Sequence, residues 1–182
     1  YRVPGQERLA QRYVDLTFAD FAFFTNSGAE AIEGSIKIAR RYHWSKGEPE
    51  RIGILSFNGS FHGRTLGGIN AGAQDKYREG FGPRLPGFRS IEFNDIEALK
   101  REIKAPDLAA VLIEPVQGEG GVREAPEAYL REMRKLCEEA GVLLIYDEIQ
   151  CGAGRTGELF HHQWIKGAEP DLLAAAKGIG GG

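Results

Sequence analysis

Lys177 closes the run Leu172-Leu173-Ala174-Ala175-Ala176, and Asp147 closes Leu143-Leu144-Ile145-Tyr146 thirty residues earlier. An ammonium at the end of an apolar run is disfavoured wherever it is partly buried, which leaves neutral amine able to form a Schiff base with a carbonyl. The same lysine could equally snorkel to water from a strand end. Asp147 and Gln150 leave the neighbouring run as polar groups. Further upstream, Ser27-Gly28-Ala29 opens a helical pattern. The first amides of a helix lack internal partners and, with the macrodipole, favour an anion. Ser27 can add its hydroxyl and Gly28 admits a close approach, although Asn26 or Ser27 would also serve as an ordinary N-cap, with Glu30 and Glu33 complementing the dipole. The turn has neither the lysine spacing of a Walker loop nor the three glycines of a dinucleotide loop.

Two more stretches carry candidate chemistry. In Phe61-His62-Gly63-Arg64 the arginine can fork onto a carboxylate and the aromatic face can cover a planar ring. A surface loop with a buried Phe61 is the alternative. Glu114 ends an apolar run, and Glu119 lies in the glycine-rich stretch after it, where a glutamate is ordinarily solvated. His62 has no histidine at metal-ligand spacing and His161 and His162 are adjacent, so no metal site is expected.

These residues need elements to hold them. Helical periodicity covers residues 6–16, then the helix after Ser27 with Ile32, Ile36, Ala39 and Tyr42 on one stripe. A further helix starts at Pro126, faces Leu130, Met133, Leu136, Cys137 and Ala140 inward, and stops at Gly141. Asn94 is the expected cap of a short helix bearing Ile96, Leu99 and Ile103. Strands are expected at residues 21–25, 52–57, 109–113, 142–146 and 172–176, and residues 74–89 read as an irregular excursion. The strand runs are apolar throughout, as in parallel strands covered on both faces. The expected fold is therefore α/β, a three-layer αβα sandwich with a mostly parallel sheet. Ligands bind at the carboxyl ends of such strands. Each of the five expected strand exits carries a polar or ring-covering group.

The net charge of −3 comes from 23 basic and 26 acidic residues mixed along the chain, which disfavours nucleic acid or an anionic membrane as partner. No apolar run approaches the roughly twenty residues of a membrane helix. Two cysteines, Cys137 and Cys151, without ligand spacing fit a reducing, cytoplasmic setting, and Cys137 belongs to a core face. The sequence opens on Tyr1 and stops on Gly180-Gly181-Gly182 directly after a strand candidate. Residues 1–182 are expected to be a partial large domain, with an N-terminal segment and a C-terminal small domain beyond it.

Five ordered motifs complete the reading: Asn26-Ser27-Gly28-Ala29-Glu30-Ala31, Phe61-His62-Gly63-Arg64-Thr65, Glu114-Pro115-Val116-Gln117-Gly118-Glu119-Gly120-Gly121, Asp147-Glu148-Ile149-Gln150 with Gly154-Arg155-Thr156-Gly157, and Lys177-Gly178. In order and spacing they resemble the class III, fold-type I pyridoxal-phosphate aminotransferases over essentially the whole chain. The resemblance implies that Lys177 holds pyridoxal 5′-phosphate and then shuttles the substrate proton, while Asp147 pairs with the ring nitrogen. It implies that Gln150 sits near the ring hydroxyl, Phe61 over the ring face with His62 beside it, and Ser27, Gly28 and Ala29 on the phosphate. Arg64 would grip a substrate carboxylate, Glu119 would exchange partners with a C-terminal arginine, and Glu114 would support the cofactor region. The implied reaction moves the ω-amino group of N-acetylornithine, or a close relative, to 2-oxoglutarate in arginine biosynthesis, within a homodimer. The rivals are a 4-aminobutyrate or ornithine aminotransferase or an aminomutase of the same family, and a non-catalytic α/β binding module. Cys151, where many relatives have threonine, reads as a tolerated small residue.

Overall fold

Five short runs become one parallel sheet in the computed structural model, which describes residues 2–180. Tyr1, Gly181 and Gly182, on which the expectation of a partial domain partly rested, lie outside the described residues. The chain begins with α1 (Pro4–Leu16), which buries no residue, and reaches α2 (Gly28–Ser45) through an extended stretch. Next come β1 (Gly53–Phe57), the short helices α3 (Leu66–Ala71) and α4 (Asp75–Arg78), β2 (Phe88–Ile91), α5 (Ile96–Glu102) and β3 (Leu108–Ile113). A small antiparallel hairpin joins β4 (Val116–Gln117) to β5 (Arg123–Glu124), and α6 (Glu127–Ala140), β6 (Leu143–Asp147) and β7 (Leu172–Ala174) follow.

The sheet order is β2-β1-β3-β6-β7, and every neighbouring pair is parallel. After β1 the chain moves to one side for β2 and returns to the other for β3, so the winding reverses between β1 and β3. A crevice forms at the carboxyl ends of strands at such a reversal.

Side chains of a strand alternate between faces, and here both faces are apolar. Leu55, Phe57, Val111, Ile113, Leu144 and Tyr146 pack with Leu130, Met133 and Cys137 of α6 and with Leu99 of α5. Ile54, Ala110, Leu112 and Ile145 face the other way, onto Ile32, Ile36 and Ala39 of α2. The result is the three-layer αβα sandwich expected from the sequence. Each fully buried aliphatic side chain contributes roughly 1.5–3 kcal/mol, enough in number to fix the relative heights of the strand exits.

Several local expectations change. Residues 21–25 form no strand, and Phe21 and Phe23 are 92% and 79% exposed. A run of aromatic residues has strand character only where a ladder partner satisfies its backbone. Asp95, not Asn94, caps α5: its carboxylate accepts from the Ala98 amide at 2.9 Å, while Asn94 takes φ +68° in the turn before it. The irregular excursion contains α4 and ends in β2, an edge strand whose short apolar signal is masked by the prolines and glycines beside it. Gly141 does stop α6, at φ +62°.

Candidate active site

The capping motif at α2 comes first, because its geometry decides which groups remain free. Ser27 Oγ accepts from the Glu30 amide at 3.2 Å, and Glu30 Oε2 accepts in return from the Asn26 amide at 2.6 Å. Ser27 thus caps the helix while Glu30 reaches back to the residue before the cap, and the Gly28 and Ala29 amides, at the first two helical positions, have no helical partners. A Cβ on Gly28 would lie 3.0 Å from two carbons of Ile149 and 3.3 Å from the Ala176 methyl. Gly28 therefore lets the helix start dock directly on the exits of β6 and β7. Ala29 in turn packs on Gly63, which takes φ +96° and whose added Cβ would stand 3.1 Å from the Ala29 methyl. Three strand exits and one helix start are locked together by small residues.

At the centre of that junction Asp147 is 3% exposed. Its Oδ1 accepts from the Ile149 amide at 3.1 Å, and its Oδ2 accepts from His62 Nδ1 at 2.7 Å. A carboxylate can only accept, so the His62 proton sits on Nδ1 and Nε2 is left buried without a partner. Burial works against the His62 imidazolium, yet the hydrogen bond and charge of Asp147, joined by the charge of Glu114, outweigh it and raise its pKa. Glu114, 4% exposed, accepts from the Phe61 amide at 3.0 Å. Burial first, and the Asp147 charge second, push its carboxyl up to about 7, against the lowering influence of His62 and the amides of Phe61 and Gly118.

Both Glu114 and His62 have folded pKa values above their unfolded ones, so the stability they add is full at low pH and is lost as pH rises through the folded values. Full-length protein unfolded in urea should lose stability between pH ~5 and ~8. Glu114→Gln keeps the acceptor for the Phe61 amide and should flatten that slope, leaving the His62 part. A slope unchanged by the substitution would show that Glu114 does not titrate in this window.

Lys177 Nζ donates to Gln150 Oε1 at 3.0 Å. Of the two readings open for this lysine, the exposed one holds: it reaches water from the strand end, and the backbone turns immediately, at φ +50°. Gln150 is held from two sides. Arg155 Nε donates to its carbonyl at 2.6 Å, and its amide stands over Gly118, where a Cβ would be 2.5 Å from Gln150 Cδ. The sequence reading missed Gly118 as a support. Gly118 follows the fully buried Gln117, which anchors the hairpin by donating to the Asn58 carbonyl at 3.1 Å.

Ser27, Gly28, Ala29, Phe61, His62, Glu114, Asp147, Gln150 and Lys177 all line one cleft of 1380 Å³. Arg64 and Glu119 are not in its wall. Arg64 is exposed, with its guanidinium carbon 5.7 Å from the ring centre of Phe61 and 5.3 Å from that of Tyr77. Glu119 is exposed at the tip of the β4–β5 hairpin, next to Gly118. Glu148 faces away from the cleft, fully buried; its carboxylate accepts from the amides of His161 and His162 and so ties down the loop after β6. Burial, then the charge of Glu148, raises the Cys151 thiol above its ordinary range, which fits an inert small residue rather than a nucleophile. Among the described residues no group of three or more His, Cys, Asp or Glu is placed to hold a metal ion, and no helix is long and apolar enough to cross a membrane.

A family model described as aminotransferase class-III matches residues 3–182. Acetylornithine aminotransferase of Mesorhizobium japonicum is 60% identical over the whole chain, which spans 45% of that relative's length. The solved N-acetylornithine aminotransferase of Stenotrophomonas maltophilia superposes with a TM-score of 0.83 at 40% identity, covering 100% of this chain and 44% of that one. Ornithine aminotransferase of Toxoplasma gondii, solved with partial occupancy of pyridoxal phosphate at its active site, gives 0.85 at 35% identity, covering 95% and 41%. The chain thus spans about half the length of the relatives it matches.

Proposed function

We propose, for this chain, which belongs to the class-III aminotransferase family, that the protein it is part of binds pyridoxal 5′-phosphate in this cleft. There it moves the ω-amino group of N-acetylornithine to 2-oxoglutarate, a step of arginine biosynthesis. The observation that carries the reading is that Lys177 on Gln150 and Asp147 on His62 line one cleft beside a helix start. Identity of 60% to an acetylornithine aminotransferase supports the donor. Residues 1–182 are then a partial large domain, working in a cytoplasmic homodimer with the remaining chain.

The donor set of the cleft fits the cofactor group by group. Phosphate matches the unpartnered amides of Gly28 and Ala29 at the start of an 18-residue helix, with Ser27 beside them. A protonated ring nitrogen matches the buried Asp147 carboxylate, an aldehyde matches the Lys177 amine, and a planar ring matches the face of Phe61.

When bound, pyridoxal phosphate supplies an electron sink that makes a carbon-bound proton of the amino substrate acidic. Lys177 Nζ would hold the cofactor covalently through its aldehyde carbon and, once released by the incoming amine, would take that proton and return it to the cofactor carbon that had carried the aldehyde, across the substrate nitrogen. Gln150 Oε1 orients Nζ for both tasks. Asp147 would keep the ring nitrogen charged, and His62 Nδ1–H and the Ile149 amide fix both carboxylate oxygens so that none of its orientation is lost to rotation. Glu114 draws the Phe61 amide inward and so sets the loop that carries Phe61, His62 and Arg64. Arg64 would receive the substrate carboxylate, and Glu119 would occupy an arginine from the rest of the chain in one half-reaction and release it in the other.

The donor profile of the full-length protein tests the substrate. N-acetylornithine should exceed 4-aminobutyrate and ornithine in kcat/KM by roughly ten-fold or more, since a site built to pair a polar group rejects analogues lacking it. A preference for 4-aminobutyrate or ornithine would replace the donor and keep the chemistry. A folded protein that binds no pyridoxal phosphate would favour a binding module instead.

A further inference from the structure

The aromatic contacts of Arg64 tie a residue of the irregular excursion to the cleft. Phe61 and Tyr77 meet edge to face, ring centres 5.9 Å apart at 80°. The Arg64 guanidinium lies over both, 5.7 Å from Phe61 and 5.3 Å from Tyr77, and Lys76 Nζ lies 4.8 Å from the Tyr77 ring centre. Among the described residues Arg64 has no carboxylate partner, although it is exposed and long enough to seek one. Tyr77 is half-buried and is not adrift in a loop: Gln74 Nε2, at the start of α4, donates to the Ser60 carbonyl at 3.0 Å. Ser60 directly precedes Phe61, so Tyr77 is moored to the same strand exit that carries the ring-covering residue. Farther on, the Leu85 amide donates to Asn70 Oδ1 of α3 at 2.8 Å, closing the excursion onto the same side of the sheet.

An exposed arginine samples many rotamers, and a carboxylate that binds it must first overcome that freedom. Two aromatic rings against a guanidinium reduce the freedom in advance, while the N–H groups at its edge stay available to fork onto a carboxylate. Lys76 adds a second cation at the same ring.

Resting on the aminotransferase reading above, we propose that Tyr77 is a specificity-determining positioning residue, which holds Arg64 in the orientation that reads the carboxylate of the amino donor. Phe61, Arg64 and Tyr77 then form one unit that couples ring cover to carboxylate grip. Tyr77 itself touches neither cofactor nor reacting atoms.

The test compares Tyr77→Leu, Tyr77→Met and Tyr77→Phe in the full-length protein carrying its cofactor. Turnover is followed with N-acetylornithine and with a primary amine that lacks a carboxylate. Tyr77→Leu should raise the KM for N-acetylornithine by roughly five- to ten-fold, the loss expected for a cation–π contact. It should leave kcat, the cofactor absorbance band and the KM of the carboxylate-free amine within about two-fold of wild type. Tyr77→Phe, which keeps the ring face, should restore the N-acetylornithine KM, a rescue that a merely structural hydroxyl would not give. Tyr77→Met preserves apolar contact with Phe61 without a ring face and is read in the same way if the leucine variant does not fold. A normal cofactor band with an unchanged KM, or equal losses on both amines, overturns the role of Tyr77 alone. A wild-type protein with no cofactor band overturns the aminotransferase reading and this one with it.

Discussion

Lys177→Ala in the full-length protein is expected to abolish transamination, lowering kcat by at least about 10⁴-fold, because in the proposed mechanism one amine carries both covalent attachment and proton transfer. The two roles can be separated from a loss of structure. Lys177 is exposed and its amine bonds only to Gln150 Oε1 among the described residues, so the fold loses little with it; unfolding free energies from urea titration should agree to within about 0.5 kcal/mol. Alanine suffers the same left-handed backbone, φ +50°, as lysine does, so that cost cancels in the comparison. Lys177→Arg sharpens the point. A guanidinium keeps the positive charge but stays protonated at working pH, so it can neither attack an aldehyde nor accept a proton. If the amine acts chemically, both variants are dead and both lose the visible absorbance of covalently held cofactor. Substantial activity in Lys177→Arg would mean that the residue serves only as a charge, and the mechanism given above would fall.

Much of this frame was legible in the residue order. Uninterrupted apolar runs pointed to parallel strands covered on both faces, and the structure buries Leu55, Phe57, Leu144 and Tyr146 on one face and Ile54 and Ile145 on the other. Gly141 and the Ser27–Glu30 pair marked helix ends because capping is local chemistry, settled within four residues. What stayed hidden is non-local. His62 and Asp147 bond across 85 residues of sequence, and Glu114 reaches the Phe61 amide across 53. Nothing at either end of those pairs announces the other. Gly118 under Gln150 belongs to the same class: a glycine in a glycine-rich run carries no sign that a side chain from another loop needs its space. The strand expected at residues 21–25 failed for a related reason, since strand character there depends on a ladder partner and not on its own phenylalanines. Lys177 could be partly buried or reach water from its strand end, and it is exposed, because burial is decided by what stands opposite and not by the alanines before it.

Asp147→Asn isolates what the buried pair contributes. The substitution is nearly isosteric, and its oxygen can still accept from the Ile149 amide. The other end changes chemistry: an amide NH₂ now faces His62 Nδ1, which donated to a carboxylate at 2.7 Å. Two donors cannot share that bond, so His62 must move its proton to Nε2 and accept through Nδ1. The negative charge that raises the His62 pKa is gone as well, and burial, which lowers it, then dominates. In the proposed mechanism a neutral amide beside a neutral imidazole would hold a protonated ring nitrogen far less well than the carboxylate, so the electron sink would weaken where it is needed most. We expect kcat to fall by roughly 10²- to 10³-fold, the loss typical of removing one preorganised electrostatic contact. Cofactor absorbance should persist, since Lys177 is untouched. His62, followed by NMR, should titrate at lower pH than in the parent, which separates this loss from simple unfolding. Asp147→Asn with wild-type kcat would place the ring nitrogen elsewhere in the cleft. Reduced activity with an unshifted His62 would mean that the two residues do not share a proton in solution, and that the carboxylate acts on the ring without its histidine.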